Sequence, residues 1–125
     1  MPHQLVSITE DLYFGMKIEA AAKGQGLAFA WLDQADGAAE RLSNLSAPGG
    51  SLTILVDLST RLPWREIYAL APQSEAIDWI GYGAHVEETL LAEARDLGLG
   101  RVMPRSKFTK ALPALLSTLK EEEAS

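Results

Sequence analysis

The chain has 125 residues, 47% of them apolar and 22% charged, which suits one domain around a single core. It contains no cysteine, which excludes disulfides, thiolate chemistry and Cys-based zinc sites, and its two histidines cannot by themselves build a His-rich metal site. Eleven Lys and Arg against seventeen Asp and Glu leave a net charge of −6 and a pI near 4.8, the wrong sign for a protein whose main task is gripping nucleic-acid phosphates.

Short apolar β-type runs alternate with longer amphipathic stretches in five pairs, the pattern of βα units wound into a parallel sheet. The first strand is expected over 5–8. A helix from about Asp11 to Lys23 follows, with Leu12, Met16 and Ala20 as its inward face and Gly24 as its stop. The second strand, 27–32, is apolar at every position, which predicts cover on both faces. Asp36 is placed to cap a helix running to Leu45, ended by Pro48-Gly49-Gly50. The third strand, 52–56, is the most β-branched and apolar run of the chain, ends on Asp57, and belongs in the middle of the sheet. A short helix starts near Pro63 and cannot pass Pro72. The fourth strand covers 77–82 with Asp78 at its N-terminal end, and Gly81-Tyr82-Gly83 reads as a flexible turn. The next helix carries Glu87 and Glu88 in its first turn and is expected to bury Val86, Leu90, Leu91, Ala94 and Leu97. A fifth strand at 101–103 leads into a last helix with Phe108, Leu112, Leu115, Leu116 and Leu119 on one face, kinked or restarted at Pro113. Glu121 to Glu123 place negative charge where the helix dipole disfavours it and are expected to fray.

No apolar run approaches the ~20 residues of a membrane-spanning helix. Residues 1–10 lack the basic and long apolar regions of a signal peptide. The expectation is a cytoplasmic chain without membrane or nucleic-acid partners, one domain over 1–125 with its core at about 4–119.

In an open α/β sheet, ligands bind beyond the carboxyl ends of the strands. There the chain places Glu10 and Asp11 after the first strand, Asp57 at the end of the third and Arg105 after the fifth. If the first and third strands are neighbours, three carboxylates converge, and a site of few oxygen ligands suits magnesium. Plainer roles exist for each: Asp57 in a turn with Ser59 or Thr60, Asp11 or Thr9 as helix cap, Arg105 as a bidentate partner of Asp57. His85 reads as a solvated loop residue, and Trp31, Trp64 and Trp79 as packing. No Walker or Rossmann fingerprint is present, which argues against nucleotide chemistry.

Over essentially its whole length the chain resembles the receiver domain of bacterial two-component response regulators. The acidic pair Glu10-Asp11 before Leu12 to Ile18, and the strand Leu52-Thr53-Ile54-Leu55-Val56-Asp57, carry the resemblance. It implies a flavodoxin-like doubly wound α/β fold, one five-stranded parallel sheet of order 2-1-3-4-5. It also implies Asp57 as phospho-acceptor from a phosphohistidine donor, with magnesium held by Glu10, Asp11 and Asp57. Four positions depart from the family pattern: Gly83 stands where a Thr or Ser hydroxyl is usual, and Arg105 where a Lys pairs with the phosphoryl group. Val102 replaces an aromatic, and the expected proline is displaced to Pro63. The departures mark an atypical or degenerate receiver. The function expected is that of a stand-alone receiver-like signalling domain, with Asp57 as its candidate phosphoryl acceptor, acting by contact with a sensor kinase or downstream target, with a homodimer open. Its enzymatic role would be at most magnesium-assisted phosphoryl transfer to its own Asp57. The alternatives are a pseudo-receiver binding module that takes no phosphate and a small flavodoxin-like ligand-binding protein or enzyme.

Overall fold

The computed structural model describes residues 3–45 and 50–124. The elements run β1 (His3–Ile8), α1 (Leu12–Gly24), β2 (Ala28–Leu32), α2 (Ala38–Leu45), β3 (Ser51–Asp57), α3 (Trp64–Leu70), β4 (Ile77–Gly83), α4 (Glu88–Asp96), β5 (Arg101–Pro104) and α5 (Arg105–Ala124). All five strands are parallel, in the order β2-β1-β3-β4-β5, so the fold class and strand order are those the resemblance implies. β3 lies at the centre because it is apolar on both faces. Leu52, Ile54 and Val56 point into one core cluster with Leu42, Trp64, Ile67 and Leu91, while Leu55 points into the other with Phe14, Ile18, Tyr82, Phe108 and Leu116. Helices α1 and α5 cover that second face. Among the described residues no helix is long and apolar enough to cross a membrane.

Several local expectations are corrected. Helix α1 turns Phe14, Gly15, Ile18 and Ala22 inward, whereas Leu12, Met16 and Ala20 face out. Gly15 explains the rotation: a Cβ there would sit 2.2 Å from the Trp31 ring, so the helix docks on the indole only through its glycine. The strand expected over 27–32 is an edge strand, with Ala28 exposed and Phe29 and Trp31 half-buried, so it is not covered on both faces throughout. Gly81-Tyr82-Gly83 is no turn but the buried end of β4, where Gly81 makes room for Leu99 and Leu58. Of the apolar residues assigned to the fourth helix only Leu91 and Ala94 are fully buried; Val86 and Leu97 flank the helix in exposed positions. Helix α5 runs through Pro113 to Ala124, and the acidic end expected to fray is its last turn, where Glu123 accepts from the His3 N–H and pairs with Lys120. Pro48-Gly49, read as the break after α2, lies outside the described residues. Asp78 sits exposed near the start of β4, Trp64 and Trp79 are core residues, and His85 is exposed, as the sequence suggested.

Candidate functional site

The parallel register of β1 and β3 sets Ile8 beside Val56, so the next residues, Thr9 and Asp57, meet at the carboxyl edge of the sheet. Thr9 Oγ1 donates to Asp57 Oδ2 at 2.8 Å, and the Ser59 N–H donates to Asp57 Oδ1 at 3.0 Å. The Thr60 N–H closes the turn on the Asp57 carbonyl. Only 3% of Asp57 is exposed. Asp11 caps α1, its Oδ1 accepting from the Phe14 N–H at 3.0 Å.

Arg105, the first residue of α5, closes the crevice. Its Nη1 lies 3.6 Å from Asp11 Oδ2 and its Nη2 3.6 Å from Asp57 Oδ1. Beneath the guanidinium is an aromatic platform: its carbon is 4.9 Å from the Phe14 ring centroid and 5.8 Å from that of Tyr82. The platform is rigid because Tyr82 stacks on Phe108 at 4.4 Å and meets Phe14 at 5.1 Å. Two carboxylates and two ring faces thus hold one cation.

The electrostatics follow from burial. Desolvation pushes the Asp57 carboxyl above its ordinary value; the bonds from Thr9 and Ser59 and the charge of Arg105 pull it back, and Asp11 adds to the rise. Desolvation, helped by the Asp57 charge, pushes the Tyr82 phenol up as well. Its buried hydroxyl lies beside these groups without a hydrogen bond of good geometry.

The sequence candidates separate into two groups. Asp11, Asp57 and Arg105 come together. Glu10 is exposed, and its Oε1 accepts from the Arg61 N–H at 2.6 Å, tying the β1–α1 corner to the loop before α3. Gly83 is buried beside Pro104 of β5, and a Cβ there would lie 3.8 Å from Ser59 Oγ, the nearest hydroxyl to the position the family fills with Thr or Ser. That hydroxyl donates instead to Glu87 at 2.7 Å. Val102 packs half-buried against the first core cluster.

A magnesium ion needs carboxylate oxygens converging on one point with no competing cation there. Both Asp57 oxygens and Asp11 Oδ1 accept protein hydrogen bonds, Glu10 is engaged by Arg61, and a guanidinium stands between Asp11 and Asp57. Among the described residues no group of three or more His, Cys, Asp or Glu is arranged to hold a metal. As placed, the donor set does not fit the ion.

Two participants were not legible as such. Thr9 looked like a helix cap; its signal was its level with Asp57 once β1 and β3 are paired. The Phe14 and Tyr82 platform had no sequence signal beyond aromatic residues near strand ends.

A five-stranded parallel sheet of this order, with an acidic crevice at its carboxyl edge, defines a flavodoxin-like α/β protein. Within that class the fold is that of receiver domains. A response regulator receiver protein from Dyadobacter fermentans superposes with a TM-score of 0.70 at 18% identity, covering 94% of this chain and 97% of its own. A response regulator receiver domain from Rhodospirillum rubrum gives 0.66 at 17% identity and 92% of each chain. No family model and no curated protein matches the chain.

Proposed function

We propose that this chain is a pseudo-receiver: a receiver-fold signalling module that acts by contact with a protein partner and takes no phosphoryl group on Asp57. The observation that carries this reading is Arg105 bridging Asp11 and Asp57 over a carboxylate that is almost wholly buried. In-line attack on a phosphoryl donor needs an oxygen free to reach phosphorus and a cation on the phosphoryl oxygens. Here both Asp57 oxygens already accept from the protein, and the local cation is spent on the carboxylates. Gly83 offers no hydroxyl to receive the group. The charge that a bound metal would neutralise is neutralised within the chain, so the crevice is locked in one state and its surroundings form a constitutive binding surface.

The test is intact mass after incubation with a small phosphoryl donor and magnesium. No added phosphoryl mass is expected. An adduct that disappears in Asp57→Asn would restore Asp57 as a phospho-acceptor, with Glu10 and Asp11 as its metal ligands. Saturable binding of a flavin or nucleotide would favour the ligand-binding alternative.

A further inference from the structure

The two edges of the sheet are built differently. β5 begins with a charged Arg101 and ends with Pro104, which has no N–H to offer, so it carries the usual guards against pairing with another chain. β2 reads Ala-Phe-Ala-Trp-Leu, without charge or proline. The Leu32 carbonyl accepts from the Thr9 N–H and therefore faces β1, whereas the Trp31 carbonyl faces outward, where only Arg41 reaches it, at 3.5 Å. By the alternation of a strand, Phe29 and Trp31 turn both N–H and C=O away from the sheet. The other three of these groups have no protein partner among the described residues.

We propose that this bare edge is a homodimer interface: a second copy of the chain adds its own β2, antiparallel, about a two-fold axis at Ala30. Three features select a second copy as the occupant. The first is register. Centring the axis on Ala30 sets Phe29 of one copy opposite Trp31 of the other, and these residues present the outward N–H and C=O groups that a hydrogen-bonded antiparallel pair exchanges.

The second is charge. The exposed Asp33 and Asp36 follow the strand, while Lys23, which also pairs with Glu19 at the surface, precedes it, and the Lys120 ammonium, shared between Glu123 and the Gly26 carbonyl, sits at its start. Antiparallel pairing lays the acidic end of each copy along the lysine-bearing end of the other; parallel pairing would set the aspartates of the two copies against each other. The third is the apolar surface beside the edge. A two-fold perpendicular to the sheet keeps both α1 helices on the same face, turned toward each other. Gly15 touches Trp31, and Leu12 and Met16 lie on the next stripe of the helix toward the edge. They are 65% and 60% exposed, and the neighbouring Tyr13 78%. Three exposed apolar side chains next to a strand edge that only Arg41 reaches among the described residues are what such an interface would cover.

The interface shares α1 and the Trp31–Thr9 bond with the neighbourhood of the Arg105 clamp, but its residues leave Asp57 and Arg105 untouched, so its test does not depend on whether Asp57 takes phosphate. The test is molar mass by light scattering over a concentration series of the full chain, with amide hydrogen exchange read at Phe29 and Trp31. Expected are a dimer mass, concentration-dependent protection of those two amides, halving of the mass in Met16→Glu and in Met16→Lys, and its return when the two variants are mixed. Circular dichroism checks that both variants fold, which their exposed site favours. A wild type that stays monomeric throughout, or a dimer whose Phe29 and Trp31 amides exchange freely, overturns the proposal.

Discussion

Replacing Arg105 by Met removes the cation and keeps an apolar chain of similar length over Phe14 and Tyr82. At 3.6 Å and an effective dielectric constant of about 20, each carboxylate contact has a gross attraction of about 4–5 kcal/mol. The Arg105 and Asp11 side chains are 37% and 38% exposed, so solvent screening reduces both terms strongly, and desolvation of the guanidinium removes more. A net loss of about 2 kcal/mol remains near neutral pH, most of it from the buried Asp57. The cost depends on pH with a definite sign. Because the folded state raises the Asp57 pKa, the stability tied to its bound proton is fully present below the unfolded value of 3.8 and is lost as pH rises through the folded value. Without Arg105 the folded value rises further, so the penalty is largest near neutrality and shrinks as Asp57 protonates. Urea unfolding followed by Trp fluorescence, at neutral pH and near pH 4, measures it. The same substitution in an Asp57→Asn background should cost about 1–2 kcal/mol less, the coupling between the pair. An Arg105→Met penalty equal at both pH values and additive with Asp57→Asn would refute the clamp.

Thr9→Val keeps the shape but leaves Asp57 Oδ2 without its donor; a loss of about 1–3 kcal/mol at neutral pH is expected by urea unfolding, fading as Asp57 protonates. Gly15→Ala, which would stabilise an ordinary helix interior, should here destabilise by about 1–3 kcal/mol and shift the fluorescence of Trp31, because its methyl meets a rigid indole. His3, whose Nε2 pairs with Thr53 Oγ1 at 2.8 Å and whose Nδ1 pairs with Ser51 Oγ, has its pKa lowered by burial despite nearby Glu122, Glu123 and Asp78. Stability should therefore fall as pH drops from 6.5 toward the lowered folded value, and His3→Gln should flatten that slope in a pH series of thermal melts.

The sheet was legible because its evidence is redundant: five apolar runs, each followed by a helical pattern, admit few windings, and the run ending at Asp57 could only be central. The face of α1 was not. Leu12, Met16 and Ala20 and Phe14, Ile18 and Ala22 are both apolar stripes at helical spacing, and only the contact of Gly15 with Trp31 decides between them. Gly81-Tyr82-Gly83 misled for a similar reason, since glycine marks both turns and tight packing; here Leu58, Leu91 and Leu99 occupy the space the missing side chains leave. At the site, Asp57, Asp11 and Arg105 were readable from their places after strands. The direction of Glu10 was not, since it depends on a hydrogen bond to the Arg61 backbone on another loop.

The most direct measurement is a crystal structure of the protein grown with magnesium and beryllium fluoride, a phosphoryl mimic. The Arg105 guanidinium is expected to remain between Asp11 and Asp57, with no fluoride on the Asp57 carboxylate and Glu10 still bound to the Arg61 N–H. A metal ion among Glu10, Asp11 and Asp57, with beryllium fluoride on Asp57 and Arg105 displaced, would contradict the account.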